Sequence, residues 1–220
     1  NTTADYNTAL GYEALALNTT GTQNVAIGGL ALDAITTNSY NTAVGHAALS
    51  ANTATGGTAV GHRALTSNTT GAANLAVGKD ALFNNTTGNY NISIGYDSLQ
   101  QNTTANNNVA VGHDALKLNT TGASNTAVGA NALDSNTTAS NNTAVGYVAL
   151  GANTTGGTNT AVGKDALASN TTASANTGLG KSALQTNTTG DNNTAVGKDA
   201  LLSNTTGSEN VAVGNNALDA

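Results

Sequence analysis

The chain has no cysteine, methionine, tryptophan or proline, and only one phenylalanine, Phe83. Without cysteine it can form neither a disulfide framework nor a thiolate metal site. Charge is scarce too: charged residues are 8% of the 220, far below the usual quarter. Six Lys plus Arg in a chain of net charge −6 are too few to neutralise a run of phosphates, so no nucleic-acid partner is expected. No apolar run approaches the roughly 18 residues of a membrane-spanning helix, so no membrane insertion is expected within this segment, and there is no signal-peptide pattern. The sequence does not open on methionine, which points to a processed product or a segment of something longer.

What fills these gaps is Asn, Thr, Ala and Gly, arranged in tandem. The unit is N-T-A-V-G-x-x-A-L-x-x-N-T-T-G-x-x, and its glycine falls at Gly11, Gly28, Gly45 and Gly61, then at every seventeenth residue to Gly214. One interval, Gly45 to Gly61, is 16. It contains Asn52-Thr53-Ala54-Thr55-Gly56-Gly57-Thr58, where one residue is lost and Gly57 stands where a unit should open with Asn. A deletion confined to a loop is what a stacked repeat tolerates. A fixed period of this kind, with strand-like T-A-V and turn-like G-x-x and N-T-T-G, predicts an all-β parallel β-solenoid. We expect 13 coils of about 17 residues, each short strand, turn, short strand, turn, over residues 1–220 as a single repeat array. The sequence opens on the N-T-T of a unit, Asn1-Thr2-Thr3, and closes on Leu218-Asp219-Ala220. Neither end shows the polar capping unit of a free-standing solenoid, so the uncapped array is expected to continue.

The columns of the aligned units differ sharply in variability. Leu is invariant at Leu15, Leu32, Leu49 and Leu65 and onward to Leu218, and the residue before the glycine is always aliphatic, as at Leu10, Ile27, Val44, Ile94 and Val213. These two columns are the expected core. The two residues after the glycine vary freely, as in Tyr12-Glu13, His62-Arg63 and Lys79-Asp80, and mark solvated corners. Coils stacked about 4.8 Å apart place identical residues over one another. Asn at the head of the unit (Asn7, Asn24, Asn41, Asn74, Asn91) and Asn before Thr-Thr (Asn18, Asn68, Asn85, Asn102) should then form two amide ladders. One Leu and one Val in seventeen residues make a thin core, so burial of a further face in a homo-oligomer or laterally packed fibre is expected.

Units such as Asn142-Thr143-Ala144-Val145-Gly146 with Ala149-Leu150, and above all Asn24-Val25-Ala26-Ile27-Gly28, resemble the YadA-like head repeats of trimeric autotransporter adhesins. Phage tail-fibre shafts carry similar units. The family motif is N-S-V-A-I-G in a shorter repeat, so the 17-residue period departs from it. The resemblance implies a left-handed β-roll, three chains side by side as a trimer, and adhesion or spacing at a cell or virion surface.

Several features invite a chemical reading. Gly178-Leu179-Gly180-Lys181-Ser182 looks like the end of a phosphate-binding loop, but the glycine required five places before Gly180 is Ala175. His46 and His62 share a column in adjacent coils, about 5 Å apart, with His113 in the same column three coils on. Since Tyr, Lys, Asn, Ala and Gly fill that column elsewhere, exposed variation is the expectation and no metal site is assigned. Asp80, Asp97 and Asp114 form an exposed column without the contrasting environments that an acid–base pair needs. No catalytic residue and no cofactor are assigned, and an enzyme is not expected. Six tyrosines, Tyr6, Tyr12, Tyr40, Tyr90, Tyr96 and Tyr147, are scattered without a pocket. Eleven Asn-Thr-Thr triplets match the N-glycosylation pattern.

These observations favour a structural extracellular fibre or adhesin shaft, giving rigid spacing and multivalent contact. Its expected partners are further copies of itself and a host or surface receptor. The alternative is an ice-binding β-solenoid using the Thr and Asn rows, such as Thr19-Thr20 and Thr69-Thr70. Adjacent Thr residues on a strand point to opposite faces, which counts against it.

Overall fold

The computed structural model describes residues 3–219; the repeat phase expected at Asn1, Thr2 and Ala220 lies outside the described residues. The chain divides into two compact units, Asn1–Asn108 and Val109–Ala220. The first holds strands β1 (Thr8–Leu10), β2 (Val25–Ile27), β3 (Thr42–Val44), β4 (Thr58–Val60), β5 (Leu75–Val77) and β6 (Ile92–Ile94). The second holds β7 (Val109–Val111), β8 (Thr126–Val128), β9 (Thr143–Val145), β10 (Thr160–Val162), β11 (Thr177–Leu179), β12 (Thr194–Val196) and β13 (Val211–Val213). Within each unit every strand pairs in parallel with the strand of the next coil, residue on like residue. The fold is the all-β parallel solenoid with a period of about 17 that the sequence predicts. Coils are numbered here by their strand, each beginning at the residue before it, so that coil 3 is residues 41–56 and coil 4 is residues 57–73.

The interior differs from the expected core in one column. Side chains alternate across a strand, and it is the central Ala of T-A-V that faces inward: Ala26, Ala43, Ala59 and Ala76 are fully buried. The aliphatic residue before the glycine therefore faces out, with Leu10 67%, Val60 38% and Ile94 37% exposed. Taking the largest apolar residue as the core residue gave the wrong face, since the pleat decides direction and size does not. The Leu column is core as expected, fully buried from Leu32 through Leu184.

A second correction concerns the expected second strand, where each coil turns instead. Residues at two positions in A-L and its approach have left-handed backbone, such as Ala47 and Leu49 at φ +54° and +52°, and left-handed residues two apart break an extended run. The leg is still bonded to both neighbours. Ala47 N–H donates to Gly29 O at 2.9 Å, and Leu49 N–H donates to Ala64 O at 3.0 Å. This geometry and full burial together account for the Leu column: φ is +48° to +57° throughout it, which disfavours branched Val or Ile, and the buried position calls for a long apolar chain. The repeat glycine is fixed for two reasons. Its φ is +127° to +141°, open essentially to glycine alone, and a Cβ on Gly45 would overlap the carbonyl of Gly61 in the next coil.

Both amide ladders form. In the head ladder, Asn91 N–H donates to Asn74 Oδ1 at 2.9 Å, and Asn91 Nδ2 donates to Ala105 O at 2.8 Å. The second ladder runs amide to amide: Asn68 Nδ2 donates to Asn52 Oδ1, Asn85 Nδ2 to Asn68 Oδ1 and Asn102 Nδ2 to Asn85 Oδ1, at 2.7–2.8 Å. Each of these Nδ2 groups also donates to a carbonyl in its own bend, as Asn85 does to Gly88 O at 3.0 Å. Such buried amides are stabilising because nearly all of their hydrogen-bonding capacity is used.

Among the described residues two breaks interrupt the ladders, both in the first unit. Ile35 takes the Asn position in coil 2 and is fully buried, which leaves buried Asn18 Oδ1 without a partner. Asn52, its neighbour on the other side, turns its Nδ2 to Asn41 Oδ1 at 3.3 Å and Ala54 O at 3.0 Å. In coil 4 the head Asn is Gly57, whose N–H still donates to Asn41 Oδ1 at 2.8 Å but which has no side chain to offer onward. The missing residue of coil 3 is absorbed in the same bend, and Thr42 still pairs with Thr58.

Candidate functional site

A regular surface feature of each unit is the outer face of its strands. Alternation turns the first and third residues of each strand outward. The third is Val, Ile or Leu in all thirteen strands and the first is Thr, Val, Leu or Ile, so no outward position carries a charge. Parallel pairing in register sets like residues side by side within each unit, as with Val44, Val60 and Val77. The result is an uncharged, mostly β-branched sheet face.

The tyrosines are ordered rather than scattered. Tyr6, Tyr40 and Tyr90 occupy the position before the head residue, and Tyr12, Tyr96 and Tyr147 the position after the glycine. All six are exposed. The two positions border the strand on either side, so all the tyrosines flank the sheet face, and around β6 the sequence reads Tyr90, Ile92, Ile94, Tyr96 at alternate residues. Aligning the tyrosines by column would have revealed this from the sequence.

The remaining predicted positions are structural or paired. Gly178 lies buried within β11 and Gly180 at the bend after it; with no helix after the turn, the loop lacks the architecture of a phosphate cradle. Asp80 accepts from Arg63 Nε and Nη2 at 2.8 and 2.9 Å, and lies 3.4 Å from Lys79 Nζ. Burial pushes the Asp80 carboxyl up, but Arg63 and Lys79 outweigh it and hold the group below the ordinary carboxylate range. Arg63 also lies 4.7 Å over the ring of Phe83, and Lys79 Nζ donates to the Tyr96 hydroxyl at 3.3 Å. Asp114 pairs with Lys117 at 3.0 Å and lies 3.2 Å from His113 Nδ1, so Asp80 and Asp114 are each tied to their own cation, and Asp80 and Asp97 are buried rather than exposed as expected. His46 and His62 stack with ring centroids 5.5 Å apart. Among the described residues no group of three or more His, Cys, Asp or Glu is placed to hold a metal ion.

The Asn-Thr-Thr rows are committed to the fold. From Asn18 to Asn187 the triplet asparagines are buried, and each Nδ2, the atom a glycan would need, donates within the molecule. In the first Thr column, Thr69 Oγ1 donates to Thr86 O at 2.9 Å and Thr86 Oγ1 to Thr103 O at 3.0 Å. A third ladder escaped the sequence reading. The residue after the N-T-T-G bend accepts from the backbone of the coil before, as Asn89 Oδ1 and Asn106 Oδ1 accept from Ala72 and Asn89 N–H. Its signal is the prevalence of Ser, Asn, Thr and Asp in a column that looked unconstrained, with Ala72, Ala123 and Gly157 interrupting it.

Among the described residues no helix is long and apolar enough to cross a membrane. No family model matches the chain, and neither does any curated protein.

Proposed function

We propose that the chain is a structural shaft whose uncharged sheet face packs against further copies of itself, giving a rigid, laterally associated array displayed outside a cell or on a virion. The observation that carries this is the outer face: thirteen strands with aliphatic third residues and no outward charge, in a chain whose apolar core is mainly Ala and one Leu per coil. An apolar patch of the kind this makes on each unit is characteristic of association surfaces. Tyrosine at the borders suits the same role, since its ring packs while its hydroxyl stays hydrated. The resemblance to YadA-like heads supports a trimer of left-handed coils and a role in spacing or adhesion, with a surface receptor as the further partner.

Light scattering on the intact chain tests the association. The expected mass is about three times the 21.5 kDa of one chain, and Val44→Lys with Val77→Lys should lower it towards 21.5 kDa without changing the far-ultraviolet spectrum. A 21.5 kDa species for the unmodified chain would overturn the proposal. Ice binding has less support, because the first Thr hydroxyls are engaged with the next coil and Val25, Leu75 and Ile92 interrupt Thr on the sheet face. Thermal hysteresis in a freezing assay would revive it.

A further inference from the structure

His46 and His62 occupy one column in coils 3 and 4, exposed, with rings stacked 5.5 Å apart and planes within 15°. Their backbones are held in place: Arg63 N–H donates to His46 O at 2.9 Å, and Asp80 N–H to His62 O at 3.0 Å. Towards coil 2 the column holds Gly29, where even an added Cβ would stand 3.6 Å from His46 Cδ2, so no side chain in this column crowds that ring. Towards coil 5 stands Lys79, but its ammonium is drawn to Asp80 and the Tyr96 hydroxyl, and Arg63 is likewise bound to Asp80 through two nitrogens. One carboxylate thus offsets the nearest two cations, which would otherwise repel a metal ion.

The position of the pair matters more than its existence. Coil 3 is the 16-residue coil, and the two ladder breaks bracket it: Ile35 in coil 2 and Gly57 at the head of coil 4. Asn52 is left sharing Asn41 Oδ1 with Gly57 N–H. The stacked imidazoles therefore bridge the step from coil 3 to coil 4, which keeps its rungs through Asn68 and Gly57 but lies between two steps that have each lost one.

We propose that His46 and His62, exposed and free of crowding on one side, turn out of their stack so that one nitrogen of each ring points to a shared position, and there bind a divalent transition-metal ion, copper(II), nickel(II) or zinc(II), which staples coil 3 to coil 4. Neutral imidazole nitrogen is the common protein ligand for these ions, and the open side leaves room for water to complete the coordination shell. An ion that needs both rings binds only while the two coils are docked, so it stabilises the folded state by mass action. Holding two ligands on adjacent coils also makes the second bond intramolecular, raising affinity about tenfold or more over one histidine.

Copper(II) titration of the intact chain, followed by imidazole NMR signals, tests the site, with His113 as an internal reference. His46 and His62 should broaden together at one equivalent, and His113 only at about tenfold more metal. His46→Ala and His62→Ala should each reduce affinity to the level of His113, and both should fold because Ala130 already occupies this column. Zinc should raise the thermal midpoint of the unmodified chain and of His113→Ala, but not of the other two. Broadening of all three histidines in parallel, or unchanged affinity in His62→Ala, would overturn the site. Paired binding without a zinc-dependent rise in midpoint would overturn the staple.

Discussion

Coils 8 to 12 of the second unit and coils 2 to 4 of the first are built on the same repeat, yet they differ in their polar interior. In the former, Asn136, Asn153, Asn170, Asn187 and Asn204 hand one amide hydrogen bond to the next without interruption. In the latter, Ile35 and Gly57 remove rungs and coil 3 is one residue short. Strand register is the same in both regions. Register is therefore set by strand pairing, the glycine column and the left-handed Leu, while the amides add stability to a path already chosen.

The most severe way to probe this comparison is to attack what the two regions share. Leu150→Val and Leu32→Val should each cost about 2–3 kcal/mol, combining left-handed strain for a branched Cβ with a lost buried methylene, read as a drop in urea midpoint. Similar costs in both regions are expected; a near-neutral Leu150→Val would remove the backbone explanation for invariant Leu.

A smaller effect should separate the regions. Asn153→Ala strips a rung with partners on both sides, Asn136 Oδ1 and Asn170 Nδ2, and should cost about 2–3 kcal/mol. Asn18→Ala, whose Oδ1 already lacks a partner, should cost about 1 kcal/mol. Equal losses in denaturant unfolding would mean that the ladder does not act through its rungs.

The smallest effect is a pH dependence specific to the first unit. Because the folded Asp80 carboxyl is held below its ordinary range, its contribution is present above the unfolded value, about 3.9, and is lost as pH falls through the folded value. Asp80→Asn should flatten the fall in stability between neutral pH and about pH 3. An unchanged profile would show that Arg63 and Lys79 do not act through this carboxylate.

Much of this was legible in the sequence because the repeat samples each position thirteen times. Period, coil number, the Leu core and both Asn ladders follow from columns that are constant or nearly so, Ile35 and Gly57 being the exceptions in the Asn columns. The errors arose where two conformations share a pattern. T-A-V is compatible with either face inward, and only the neighbouring buried Asn settles that Ala points in. A-L-x-x reads as strand unless left-handed Leu is considered, which composition does not reveal. Local compensations were hidden for a different reason, since they involve pairs. Ser93 and Ser98 replace two inward alanines and bond to one another, and Gly151 leaves space that a Cβ would take from Val148, at φ +57°. The sheet face was missed because its aliphatic column had been assigned to the interior.

The amide ladders also have a direction. In each one the later coil donates and the earlier coil accepts, as Asn68 does towards Asn52 and Asn170 towards Asn153. Side-chain dipoles therefore align along the stack and polarise one another. Because a ribosome releases the earlier coil first, the acceptor oxygens of these two ladders are in place before their donors are synthesised, whereas the first Thr column and the third ladder run the other way, the earlier coil donating. A chain of this kind is suited to fold vectorially, each finished coil acting as template for the next to emerge.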